Sequence, residues 1–234
     1  MPETINILEF ANVALPAGAP GQAEMRGLTF SLPPGRLLLV RLEAGGENLP
    51  LADAAEGLLA PEAGAVRWQG RDWRALGPED ELRARAQIGR IFEKNGWISN
   101  LNVIENVTLS ERHHTRRPEK EIIAEADALA RAFGLEEIPR RRPVFVPKRD
   151  LKMAEWVRAL IGTPLLLLLE RPEEGVPDND LPKLMAAVQA ALQRGAAAIW
   201  QTGRDAVWRA ASRANEIRYR MQGAEMILVK EKQP

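Results

Sequence analysis

Cysteine is absent, and His113 and His114 are the only imidazoles in the chain. A thiolate nucleophile, a disulfide framework and a Cys-ligated zinc site are therefore excluded, and metal chemistry has to come from carboxylates. The two histidines read as surface residues. The 32 Lys and Arg balance 32 Asp and Glu, so no global excess of charge draws the chain toward nucleic acid or anionic lipid. One local basic patch stands out: Arg140, Arg141 and Arg142, joined by Lys148 and Arg149. It suits an acidic partner, lipid headgroups or plain solvation. No alternating aromatic pattern accompanies it, which argues against nucleic acid. Two further features sit at the ends of apolar runs: the bend at Gly45 and Gly46, and the carboxylate of Glu170.

These residues must be held by a sizeable fold. A chain of 234 residues, 45% apolar and 27% charged, supports one core, or one core with a small inserted lobe, and buries roughly 70% of its unfolded surface. Short apolar or alternating runs predict strands at 5–13, 28–32, 36–42, 65–68, 87–92, 165–169 and 196–200, with two more within 216–232. Helical patterns fall at 49–59, 78–85, 103–109, 118–133, 153–161, 180–193 and 205–214. Pro139, Pro143 and Pro147 stop the longest helix from continuing. Helices that separate apolar strands need crossover connections, so the expected fold is α/β with a largely parallel sheet. The run at 165–169 is far shorter than the ~20 residues that span a bilayer, and residues 1–4 carry no secretory pattern. The expected location is cytoplasmic, with any membrane role exercised through a partner.

The order of these segments resembles the nucleotide-binding subunit of an ATP-binding cassette transporter over essentially the whole chain. The resemblance is carried by residues 57–64 (GLLAPEAG), 88–93 (IGRIFE), 101–107 (LNVIENV), 157–160 (VRAL) and 165–172 (LLLLLERP). The wording around Glu93 and 97–109 is similar to subunits serving lipid trafficking of the mammalian-cell-entry type. The resemblance implies a P-loop NTPase-like sheet, mostly parallel, with N-terminal antiparallel strands and an inserted helical lobe. The core would comprise 1–92 and 157–234, and the lobe, with the signature region, 93–156.

The resemblance also places a nucleotide site, on Gly45, Gly46, Asn48, Glu93 and Glu170. In the family a glycine-rich loop turns backbone N–H groups toward phosphate, a lysine adds charge and a hydroxyl reaches magnesium. Here Asn48 stands at the lysine position and Leu49 at the hydroxyl position, with Glu43 and Glu47 adding negative charge. Glu93 stands where the family has glutamine, and Glu170 ends the apolar strand where a carboxylate can face magnesium. Arg171 takes the place of the catalytic glutamate, and a guanidinium cannot act as a general base. Pro147, Lys148 and Arg149 replace the signature serine and glycines, Pro177 replaces an aspartate, and Gly203 replaces a histidine that contacts the terminal phosphate.

From these replacements the expectation is a subunit that does not hydrolyse ATP, with no catalytic residue, no metal site and no cofactor. It would support the assembly or regulation of a membrane transport complex. Its partners would be a homologous ATPase subunit or a second copy of itself, together with a transmembrane permease contacted near 97–107. One alternative is a divergent ATP-binding or ATP-hydrolysing transporter subunit, with magnesium, using Gly45, Gly46, Glu93 and Glu170 and a cation from Arg171 or a partner. Another is a soluble protein-binding module that has kept only the fold.

Overall fold

The computed structural model describes residues 5–17, 24–42, 49–94, 96–209 and 215–229. Their strands form one 10-stranded sheet in the order β5-β4-β1-β2-β10-β9-β3-β8-β7-β6. In chain order these are β1 (Leu8–Leu15), β2 (Met25–Leu32), β3 (Leu37–Arg41), β4 (Ala63–Trp68), β5 (Arg71–Asp72), β6 (Ile88–Ile91), β7 (Leu166–Glu170), β8 (Ala197–Thr202), β9 (Glu216–Gln222) and β10 (Glu225–Leu228). Strands β6, β7, β8, β3 and β9 run parallel to their neighbours, while β1 pairs antiparallel with both β2 and β4. This is the α/β fold expected from the sequence, with antiparallel strands toward the N-terminus.

The helices are α1 (Leu51–Ala55), α2 (Pro78–Arg85), α3 (Val103–His114), α4 (Glu119–Phe133), α5 (Lys148–Leu160), α6 (Leu181–Gln193) and α7 (Asp205–Arg209). Most match the sequence reading within a few residues. The start of α5 differs: the helix begins five positions before Met153, with Pro147 as its N-cap at φ −55. Proline needs no N–H bond at that position and fixes a helix-compatible φ, so the polar Lys148-Arg149-Asp150 stretch forms a first helical turn instead of a loop.

Both faces of the parallel region are buried. Along β7, Leu167 and Leu169 pack with α3–α6 residues such as Trp156 and Phe133. Leu166 and Leu168 face the opposite core with Phe10, Phe30 and the α1 residues Leu51 and Ala55. An uninterrupted leucine run is what a strand covered on both faces requires, and each leucine so buried contributes roughly 2 kcal/mol. The same alternation carries Glu170, two residues beyond Leu168, onto the α1 side of the sheet.

Candidate functional site

Gly45, Gly46 and Asn48 lie outside the described residues. The chain on either side of them is placed: β3 ends at Arg41, and α1 starts at Leu51. Residues 43–48 therefore connect a central parallel strand to the following helix. At the end of β3 the Leu42 N–H donates to the Thr202 carbonyl at 2.8 Å, and Arg41 pairs with Asp205.

Glu170 is buried at the end of β7. On the adjoining strand, Arg90 donates from Nε to Glu170 Oε2 at 2.8 Å, and from NH1 to Asp53 Oδ1 at 2.8 Å and Glu56 Oε2 at 3.0 Å. Burial pushes the Glu170 carboxyl above its ordinary value, and the bond from Arg90 offsets only part of that. Glu56 is raised for the same reason. Burial alone would disfavour the charge on Arg90, but the bond to Glu170 and the charge of Glu56 outweigh it and hold the guanidinium above its usual range. The sequence reading assigned no role to Arg90, Asp53 or Glu56. A signal was present: a lone arginine among the apolar residues of a short strand, and carboxylates three positions apart in the following α1 segment.

Beyond Glu170 the backbone turns into the left-handed region, with Arg171 at φ 45. The Arg171 N–H donates to the Gln201 carbonyl at 3.0 Å, and its Nε lies 3.6 Å from Glu93 Oε1. A cavity of about 380 Å³ opens beside it, lined by Arg171, Glu173, Glu174, Gly175, Val176, Gly203 and Arg204. Buried Glu173 is satisfied from within: Trp200 Nε1 donates to it at 3.0 Å and the Thr202 hydroxyl donates to its other oxygen. Burial still raises its carboxyl above the ordinary range. Arg204 donates to the carbonyls of Glu173 at 3.2 Å and Val176 at 3.0 Å and pairs with Asp178.

The structure thus gathers Glu93, Glu170, Arg171 and Gly203 around the carboxyl ends of β7 and β8, where open parallel sheets hold ligands. It leaves His113 and His114 exposed at the end of α3, stacked edge to face at 4.7 Å. The basic patch is partly neutralised, with Arg140 on Asp127 and Arg149 on Asp180, each at 2.9 Å. The bond from Lys183, and then that from Arg149, hold the Asp180 carboxyl below its usual value. Trp97 packs half-buried against the core, with the Arg158 guanidinium 4.8 Å from its ring centre, while Ile98 is exposed.

The donor chemistry fits a nucleotide with its magnesium ion. A guanidinium suits phosphate oxygens. Among the described residues no group of three or more His, Asp or Glu forms a complete metal cage, but magnesium requires none. It keeps several waters and takes one or two carboxylates, with the remaining ligands from substrate phosphates, and Glu170 and Glu93 are of that kind.

A parallel sheet with antiparallel N-terminal strands and a crevice at the strand ends defines an ATP-binding-cassette type of fold. The dimeric structure of an ATP-binding cassette in a post-hydrolysis state, bound to ADP and Pi, superposes with a TM-score of 0.80 at 17% identity, covering 94% of this chain and 96% of that one. At that identity the likeness establishes the fold alone. No family model matches the sequence. A cytochrome c biogenesis ATP-binding export protein, CcmA 2 of Cupriavidus metallidurans, is 31% identical over 185 residues, 77% of this chain and 82% of its own length. The phosphonates import ATP-binding protein PhnC 2 of Synechococcus sp. is 25% identical over 76% of this chain and 70% of its own. The chain belongs to the family of ATP-binding proteins of ABC transporters.

This membership corrects two expectations. The sequence reading made the chain a non-enzyme that takes neither ATP nor magnesium, because of Asn48, Leu49, Arg171 and Gly203. The relatives that match most of its length are ATP-binding transport proteins. Replacing side chains leaves the strand ends and the carboxylate of Glu170 in place, so those replacements do not remove the chain from a nucleotide-dependent family.

Proposed function

We propose that this chain is the ATP-binding subunit of a membrane transport complex and takes ATP with magnesium at the carboxyl ends of β3, β7 and β8. The observation that carries the reading is the 31% identity to an ATP-binding export protein along 77% of this chain. The 43–49 segment would meet the phosphates mainly through backbone N–H groups, since Asn48 and Leu49 bring neither ammonium nor hydroxyl. Magnesium supplies charge neutralisation of the phosphates when bound, and Glu170 is its protein ligand in this reading. Arg171 cannot take a proton, so a carboxylate has to accept the proton of the attacking water. Glu93, whose carboxylate lies 3.6 Å from Arg171 Nε, takes that role in this reading.

We further propose that the subunit pairs with a homologous ATPase or a second copy, a reading supported by dimeric cassettes of this fold. The 93–156 helical segment is then the lobe that meets a permease, near 97–107. Among the described residues no helix is long and apolar enough to cross a membrane, so a permease would hold the subunit at the inner face. A lipid-trafficking role is supported only by the wording around Glu93 and 97–109.

The test uses the full chain, alone and with its co-purified complex, in calorimetry with ATP in the presence and absence of magnesium and in a phosphate-release assay. Saturable, magnesium-enhanced ATP binding is expected, with phosphate release in the complex that falls in Glu93→Gln. Absence of binding at millimolar ATP in both preparations overturns the proposal.

A further inference from the structure

Residues 138–149 hold five cations and no carboxylate, and the structure divides those cations into two kinds. Arg140 reaches back to Asp127 and Arg149 to Asp180, each at 2.9 Å. Arg141, Arg142 and Lys148 are exposed, and among the described residues no carboxylate pairs with them. Between them lies a single 3₁₀ turn, Pro143–Phe145. Pro143 is buried and Val146 packs against the core, but Val144 is 80% and Phe145 69% exposed. They are the two most exposed large apolar side chains among the described residues. Apolar residues scattered singly over a surface need no explanation, whereas an adjacent pair rimmed by charge marks a contact site.

The turn is held by its backbone. At the start of α3 the Val103 N–H donates to the Arg141 carbonyl at 2.9 Å and the Ile104 N–H to the Pro139 carbonyl at 3.1 Å. Within the turn, Phe145 N–H donates to the Arg142 carbonyl at 3.0 Å and Val146 N–H to that of Pro143 at 3.1 Å. The side chains of Arg141, Arg142, Val144 and Phe145 take no part in these bonds. The same bonds decide which partner fits. A peptide that adds as a strand needs free backbone N–H groups, but Pro143 and Pro147 have none and those of Phe145 and Val146 are already used. An amphipathic helix docks in a groove, while side chains this exposed project outward. A bilayer surface needs neither a free strand edge nor a groove. Apolar side chains enter the boundary between headgroups and acyl chains, and cations on long stems stay at headgroup level, where anionic lipid attracts them.

We propose that the 141–148 tip binds the surface of a bilayer containing anionic lipid, with Val144 and Phe145 inserted at the headgroup boundary and Arg141, Arg142 and Lys148 against lipid phosphates. This goes beyond the ATP-binding reading and does not depend on it.

The experiment floats the full chain, without nucleotide, on vesicles of phosphatidylcholine alone and on vesicles of two parts phosphatidylcholine to one part phosphatidylglycerol. The expected result is binding to the mixed vesicles that weakens as salt is raised, with little binding to the neutral ones. Each cation near an anionic surface is worth roughly fivefold in affinity, so the double variant Arg141→Ser, Arg142→Ser should bind about 25-fold more weakly. The double variant Val144→Ser, Phe145→Ser should lose about tenfold or more. Both should melt close to the unmodified chain, because the replaced side chains make none of the bonds that hold the turn. The chain has no cysteine, so Phe145→Cys places a single polarity-sensitive dye at the tip. Its emission should shift to the blue on mixed vesicles alone, which reads insertion directly if a double variant does not fold. No blue shift on mixed vesicles, equal affinity for the two vesicle types, or unchanged binding by both double variants overturns the proposal. So does loss of a co-purified protein from both double variants when the unmodified chain binds no vesicles, a result that would assign the tip to an acidic protein surface.

Discussion

Arg90 and Glu170 face each other across neighbouring parallel strands, and the guanidinium Nε donates to the carboxylate at 2.8 Å with both side chains almost wholly out of solvent. The register explains the meeting: Arg90 pairs with Leu168, and Glu170 is the next residue on the same face. The NH1 group of Arg90 holds Asp53 of α1 and Glu56, the residue that caps its C-terminus, so one cation ties the helix after the 43–48 segment to the strand end that carries Glu170. Replacing Arg90 by Met leaves these buried carboxylates against one another. Breaking a buried ion pair from one side costs about 3–5 kcal/mol, so urea denaturation should show a loss of that size and the melting temperature should fall by on the order of 10 °C. Arg90→Lys, which keeps the charge, should lose less. Stability of Arg90→Met within about 1 kcal/mol of the unmodified chain would show that the cluster is not holding the sheet to α1.

Glu173 makes a prediction about pH. Its carboxyl is raised by burial, partly offset by the bonds from Thr202 and Trp200. A group that binds its proton more tightly folded than unfolded adds stability below the unfolded value, near 4.5, and loses it as pH rises through the folded value. Denaturation midpoints should therefore decline as pH is raised from about 4.5 into the raised range, with Glu56 and Glu170 contributing in the same direction. Glu173→Gln keeps an oxygen for one of the two donors and does not ionise, so it should flatten part of this decline. A pH profile identical in slope to that of the unmodified chain would rule out Glu173 as a contributor.

The strands of this fold were legible because burial on two faces writes itself as leucine runs and burial on one as alternation. The paired strands after Glu216 and the leucine strand before Glu170 both stand where the pattern puts them. The first turn of α5 was hidden because Lys148, Arg149 and Asp150 carry no apolar stripe, and the proline before them reads equally as a break or a cap. The position of Glu170 was legible because it closes an apolar run, and the structure puts it at the end of β7. The site was illegible where it depends on pairing between segments far apart in sequence: nothing local to Arg90 announces Asp53, 37 positions away, or Glu170, 80 positions away. Arg171 reads in sequence as a lost base or as a supplied cation, and only the structure shows its NH1 3.5 Å from where a Cβ on Gly203 would stand.

Gly89 tests how closely α5 packs on the sheet. An added Cβ would stand 1.8 Å from the Ala159 carbonyl oxygen, a contact with backbone that no side-chain rotation relieves. Gly89→Ala has to push β6 and α5 apart, at a cost of about 3 kcal/mol or more. It should express poorly or melt far below the unmodified chain. Gly70 is the control: its φ is +80 but nothing lies within 4 Å of an added Cβ, so Gly70→Ala should cost only roughly 1–2 kcal/mol of backbone strain. Equal losses in the two variants would mean that strand-to-helix contact at Gly89 is looser than described.

Asn106 links packing to partner binding. It is buried in α3, and its side-chain oxygen accepts from the Ile98 N–H at 2.8 Å while its amide donates to the carbonyls of Ile98 at 3.1 Å and Asn102 at 3.0 Å. These bonds hold the segment that presents exposed Ile98 and half-buried Trp97, the surface assigned above to a permease. Asn106→Ala leaves that backbone without its partners, at about 2 kcal/mol, and hydrogen exchange at the Ile98 amide should accelerate. Asn106→Asp is no rescue, because it restores the acceptor but sets a carboxylate against two carbonyl oxygens. If the ordered 97–101 segment is what the permease grips, both variants should co-purify with less permease while binding ATP with unchanged affinity. Faster exchange at Ile98 with full permease recovery would separate the two roles and move the docking surface elsewhere on the helical lobe.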